Sequence, residues 1–171
     1  MKNIMIEDRL KELGIIIPNA PKPAGSYIPV VLSGKLAFVS GQIPIKDGQV
    51  VYQGKVGKEL WSGSKQGNMG YKNTQSIDNA QDAAKLCVIN GLAQIKAYCG
   101  TLDNLEKIIK ISGFVNSTKD FTEHPKVINA ASNLLMKIFD EKGRHSRIAI
   151  GVSSLPLNAT VEIDMVVEIA N

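Results

Sequence analysis

"GRHSRIAIGVSSLPLNATVEIDMVVEI", Gly143 to Ile169, is the stretch on which the fold turns. Two of its runs alternate with a period of two. Ile148, Ile150 and Val152 are apolar in the first, and Val161, Ile163, Met165 and Val167 in the second. That is the pattern of β-strands with one buried face. SSLPLNA between them reads as a turn, so the pair is expected to form a closing hairpin. The other face carries Arg147, Ala149, Gly151 and Ser153, then Glu162, Asp164 and Glu168. A merely solvated face usually carries lysines and threonines. This one carries a single guanidinium followed by side chains too small to obstruct anything, which fits a small docked ligand.

Upstream, TEHPKVINAASNLLMKIFDEKG places Val127, Ala131, Leu134, Leu135 and Ile138 on one helical stripe, from about 125 to 141. LDNLEKIIKISGFVNS predicts a strand over about 107–115. SIDNAQDAAKLCVINGLAQIKAYCG is a long helix, opened by a capping Ser76 or Asp78 and closed by Gly100. Its stripe of Ala80, Ala83, Ala84, Cys87 and Gly91 is small enough to pack closely on a sheet. YIPVVLSG, KLAFVSGQIP and QVVYQG predict three further strands, with Asp47-Gly48 the stronger hairpin signal. The sequence MIEDRLKELGI predicts a short amphipathic helical extension, about 3–14. Residues 58–75 have no period and read as a long inserted loop, of a length that tends to be functional or disordered.

The expected order is therefore βββαβαββ in one domain spanning 1–171: an α+β fold, mostly antiparallel, with two helices on one sheet face. Helices on one side leave the other side open, including the Arg147 face in this reading. A closed ring of identical subunits would cover it.

The chain has 171 residues, 44% of them hydrophobic and 21% charged, which fits one soluble globular domain. The net charge of +4 comes without a dense basic run, and aromatic residues are 5%, so a nucleic-acid partner is not expected. Cys87 and Cys99 lie on one predicted helix, roughly 18 Å apart in rise, and cannot bridge within it. Free thiols suit a reducing compartment. MKNIMIEDRLKEL is not a signal peptide, and no apolar run reaches membrane-spanning length, so the cytoplasm is the expected location. His124 and His145 stand far apart with no ligand-spaced Cys or His, so no metal is expected. No P-loop, GxGxxG or GxSxG is present.

Ser40-Gly41-Gln42-Ile43-Pro44, the run R-x-x-x-x-V-x-x-L-P opened by Arg147, and Leu155-Pro156 followed by Val161-Glu162-Ile163 together resemble the Rid, or YjgF, family. KPAGSY, GKVG and GRHSR resemble a longer-form subgroup of it. The resemblance spans roughly residues 22 to 170. It implies a chorismate-mutase-like fold, a homotrimer with ligand clefts between subunits, and no cofactor. The implied reaction is hydrolysis of small imines or enamines, such as 2-aminoacrylate, to 2-keto acids and ammonia.

By the same resemblance, Arg147 binds the carboxylate of a small imino or keto acid and Glu162 holds or polarises water. Tyr27, Ser40, Gly41, Asn129 and Ala149 form the substrate site; Ala149 stands where many members have cysteine. Chemically, a guanidinium offers a two-donor fork that matches a carboxylate. The competing reading of Arg147 is a surface ion pair with Glu162 or Asp164, and the residues leave open which of those two acids would orient water. Two other functions are weighed: a non-catalytic sensor of small carboxylates, and an endoribonuclease.

Overall fold

Apolar alternation in three sequence-distant segments, unbroken only in the last of them, builds the central sheet. The computed structural model describes residues 5–23, 25–58, 60–61, 70–71 and 74–170. In chain order they form α1 (Ile6–Glu12), β1 (Val30–Ser33), β2 (Leu36–Gln42), β3 (Ile45–Lys46), β4 (Gln49–Val50), β5 (Lys55–Val56), β6 (Leu60–Trp61), β7 (Gly70–Tyr71), β8 (Thr74–Gln75), α2 (Ile77–Cys99), β9 (Leu105–Asn116), α3 (His124–Phe139), β10 (Ser146–Val152) and β11 (Val161–Ile169). The class is α+β, as the sequence implies. The main sheet has five strands in the order β1-β2-β11-β9-β10.

Two sets of expectations need correcting, and the first concerns strand pairing. The last two strands are not a hairpin: β11 lies between β2 and β9, antiparallel to both, while β10 pairs with β9 in parallel at the sheet edge. The sheet is therefore mixed. The connecting segment makes this possible. It turns through Leu157 and Asn158, both at positive φ, and is tied to the Tyr52–Gly54 stretch by hydrogen bonds from Thr160 N to Tyr52 O and from Gly54 N to Asn158 O. It thus carries the chain across the end of β9 to the far side. QVVYQG, read as a third sheet strand, instead supplies only β4, paired with β3 around Asp47-Gly48, whose φ values of 52° and 78° make the tight turn.

The second correction concerns β10. Arg147 is in register with Ile111, which is in register with Met165, then Val39, then Val30. All four are buried. Aligned residues on paired strands point to the same side, so Arg147, Ala149 and Gly151 face the helices. Ile148 and Ile150 face the open side. Ala149 packs against the core, and Gly151 lies under His124 of α3.

α2 and α3 pack against each other and cover this one face, with Ala80, Ala83, Ala84, Leu92 and Ile95 from α2 and Ile128 and Leu135 from α3 meeting Ile108, Ile111, Ile163 and Met165 of the sheet. α1, the predicted N-terminal extension, is a third helix docked on the body of the fold. Leu10 is buried, Lys96 pairs with Glu7 at 2.9 Å, and Ile6 N donates to Asp103 Oδ1. Within the segment read as a loop, β6 and β7 pair with each other and β8 pairs with β5; the rest of that reading, and residues 3–4 of the predicted N-terminal helix, lie outside the described residues. No described helix is long and apolar enough to cross a membrane.

Candidate functional site

Glu162 is in register with Phe114, and Phe114 with Ile150, so its carboxylate emerges on the open face. Asp164 emerges there too. Glu162 leans against Gly41 of β2: a Cβ at Gly41 would lie inside its carboxylate, 2.9 Å from Cδ and 3.2 Å from Cγ. Glycine at 41 therefore makes room for the acid. Desolvation pushes the Glu162 carboxyl above the usual carboxylate range, and the like charge of Asp164 adds to the rise.

A cavity of about 630 Å³ opens at this point, lined by Tyr27, Ser40, Gly41, Gln42, Gln94 and Glu162, with Pro156 and Leu157 at its margin. The Ser40 hydroxyl donates to Ile28 O at 3.1 Å and its backbone N–H to Pro29 O at 2.9 Å, fixing the segment that carries Tyr27. The Gln42 amide donates to the carbonyls of Ser40 and Gly41. Four residues singled out from the sequence, Tyr27, Ser40, Gly41 and Glu162, thus share one cavity.

Arg147 and Asn129 are elsewhere. The Arg147 guanidinium donates through Nη1 to Asn129 Oδ1 at 2.8 Å and to Ser132 Oγ at 3.1 Å, both on α3. The reading in which it pairs with Glu162 or Asp164 is not what the structure shows; those acids lie on the other side of the sheet. Sequence reasoning also missed what holds Arg147. His145 Nδ1 donates to Gly143 O at 2.6 Å, which leaves Nε2 to accept from Ser132 Oγ at 3.0 Å. Ser132 Oγ then has lone pairs for Arg147. The spacing from Ser132 to His145 gives no hint of this chain, because α3 and the bend after it bring the two together. Ala149 follows Arg147 on the same face of β10, an edge strand whose outer row of backbone groups has no strand partner among the described residues.

The chemistry is split accordingly. One half-site has a positioned guanidinium and a strand edge. The other has a carboxyl whose proton is held unusually tightly, beside a cavity. Among the described residues no group of three or more His, Cys, Asp or Glu is arranged to hold a metal. The Cys87 thiol, buried under β11 and raised well above its ordinary value first by burial and then by Glu162, donates to Val161 O and is no nucleophile.

Comparison with known proteins fits this frame. The family described as "YjgF/chorismate_mutase-like, putative endoribonuclease" matches residues 7–169. Protein TCP17 of Trypanosoma cruzi is 37% identical over 163 residues, covering 95% of this chain and 92% of that protein. A 2-iminobutanoate/2-iminopropanoate deaminase of Dermatophagoides farinae is 26% identical over 156 residues, covering 91% and 94%. Among solved structures, a protein of Agrobacterium tumefaciens has 44% identity and a TM-score of 0.81, covering 96% of this chain and 92% of that one.

Proposed function

Since the chain belongs to the YjgF/chorismate-mutase-like family, we propose that it hydrolyses small imino acids, and the enamines that tautomerise to them, at sites completed by two copies of the chain in a homotrimer. The observation that carries this reading is the placement of Arg147 and Glu162 on opposite faces of one sheet. A single chain cannot direct both at one small substrate. A neighbour seated on the open face of the sheet can bring its own β10 edge, with Arg147, to the Glu162 cavity. The deaminase name of the Dermatophagoides relative supports the reaction class.

The steps follow from the groups present. The guanidinium of Arg147 pairs with both oxygens of the substrate carboxylate, held at its angle by Asn129 and Ser132. Ionised Glu162 takes a proton from water, whose oxygen attacks the imine carbon, and the C=N electron pair moves to nitrogen. The carbinolamine then re-forms a carbonyl as the C–N bond breaks. Nitrogen receives two protons through Glu162: first the one taken from water, which completes the carbinolamine, and then the carbinolamine hydroxyl proton as the carbonyl forms, so that it leaves as neutral ammonia. A carboxyl raised toward neutrality suits both halves of this transfer. Imines hydrolyse in water unaided, so orientation and a positioned base supply most of what is needed.

The test is subunit complementation with enzymatically generated 2-aminoacrylate. Arg147→Ala and Glu162→Gln should each lose roughly two orders of magnitude or more in kcat/KM. Equal amounts of the two, unfolded and refolded together, should recover roughly one quarter of the wild-type sites, because each site needs one intact residue from each of two neighbours. No recovery, in mixtures that refold as fully as the wild type, would show that the site is not completed by these two residues from two different chains. Saturable binding of 2-keto acids by the wild type, with no turnover of any imine, would make the protein a small-carboxylate sensor instead.

A further inference from the structure

Beyond the far end of β10 lies another cavity, of about 790 Å³, that the imine reading does not use. Its lining brings together residues from four parts of the chain: Lys55, Lys58, Ser117, Lys119, His124 and Gly151. Three are cationic, and one carboxylate, Asp120, stands among them. Lys55 is half-buried. Its ammonium is held by Ser153 O, by Ser117 O at 3.2 Å and by Asn116 Oδ1 at 3.3 Å. Those three acceptors are neutral. They fix the position of the charge without cancelling it, and among the described residues Lys55 makes no ion pair. A positioned, partly desolvated cation facing a cavity is a site for an anion.

Ser117 and His124 also line the cavity. Ser117 Oγ lies 3.0 Å from His124 Nε2, and the imidazole stands edge-on to Phe121, with ring centres 5.2 Å apart. Gly151 keeps this pair accessible: a Cβ there would run into His124 Nε2 and come within 2.7 Å of Ser117 Oγ. The smallness of position 151 thus has a cause other than room for a substrate at Arg147. Four residues of extended strand, about 13 Å, separate the two.

We propose that this cavity binds the phosphoryl group of a small phosphorylated ligand. Lys55, Lys58 and Lys119 supply charge, and the Ser117 hydroxyl supplies a donor in the tautomer in which His124 Nε2–H donates to its oxygen. Ammonium groups serve phosphate as point charges, whereas a planar carboxylate is better matched by a fork such as that of Arg147. The volume exceeds that of a bare phosphate and suits a metabolite-sized body lying against Phe121.

The chain has two histidines, so the test has an internal control. Burial lowers the His124 pKa from its ordinary value. The charged groups around it are Lys55, Lys58, Lys119 and Asp120 from the cavity wall, with Glu123 and its partner Lys126 on its own helix. In the full-length protein, inorganic phosphate at constant ionic strength should raise the apparent His124 pKa by roughly one unit, saturably, as read from imidazole NMR shifts. His145 should not move. Replacing the exposed pair, Lys58→Gln with Lys119→Gln, should weaken the half-saturating phosphate concentration about tenfold or more, while Arg147→Ala should leave it unchanged. The proposal is overturned if His124 does not respond to phosphate up to roughly 50 mM. It is also overturned if both histidines shift together, if acetate at equal ionic strength acts the same way, or if Arg147→Ala abolishes the effect.

Discussion

Glu162 and Arg147 show how differently a charged residue can be held. Arg147 is exposed and takes its orientation from neutral oxygens on α3. Glu162 is half-buried and has its proton affinity raised by its surroundings. The consequences for pH have opposite signs. A carboxyl whose folded pKa lies above the unfolded one works against folding once ionised. Its contribution to stability is therefore fully present below the ordinary glutamate value and is lost as the pH rises through the raised one. Catalysis needs the ionised form, so kcat/KM should fall as the pH drops through the same raised value. Asp164→Asn removes the like charge but leaves the burial, which is the larger cause. It should shift the acidic limb of the kcat/KM profile to lower pH without bringing it to the ordinary carboxylate range. A limb that stays put in Asp164→Asn and survives in Glu162→Gln would assign the titration to another group.

At the scale of elements, the strands and the two long helices could be read from apolar periodicity, which is cleanest where one phase is wholly buried. β11 alternates buried and half-buried along its whole length. β10 has no such contrast. Both of its phases carry side chains that water reaches, with Ile148 42% and Ile150 39% exposed. Its period was legible, but the side to which each phase points was not, because an edge strand is set by its neighbours. The same limit explains the missed cavity, since Lys55, Ser117, His124 and Gly151 become neighbours only through topology. What orders this end of the sheet is Asn116, buried at the end of β9. Its amide donates to Asn158 Oδ1 at 3.3 Å and to Ala159 O at 3.1 Å, its backbone N–H to Thr160 O, and its Oδ1 accepts from Lys55. Asn116→Ala would leave the Ala159 carbonyl and the Lys55 ammonium short of partners. Denaturant unfolding should show a loss of about 1–3 kcal/mol. A change within about 0.5 kcal/mol would mean that the crossover is held by its backbone bonds alone.

The whole molecule presents one face that its own helices do not cover. Val31, Phe38, Ile148 and Ile150 are 48%, 45%, 42% and 39% exposed. Val31 is in register with Phe38 and Val166, and Ile150 with Phe114 and Glu162, so these side chains form rows across a single surface. Apolar rows of that extent on a folded chain are generally covered by a partner, and a ring of identical copies would cover them while bringing one copy's Arg147 toward another's Glu162. Phe38→Glu tests this without touching the candidate chemistry, since Phe38 lies on β2 outside the Glu162 cavity and is already water-accessible in one chain. Placing a carboxylate in a desolvated contact is strongly unfavourable. The variant should therefore sediment as a monomer of 18.5 kDa where the wild type sediments as a trimer, and should keep a cooperative melt. Its imine hydrolysis should fall to the level of Arg147→Ala, roughly two orders of magnitude or more, with every catalytic side chain intact. A monomeric Phe38→Glu that retained wild-type kcat/KM would place the whole reaction within one chain. A wild type that is monomeric at micromolar concentration would remove the covered face and the shared site together.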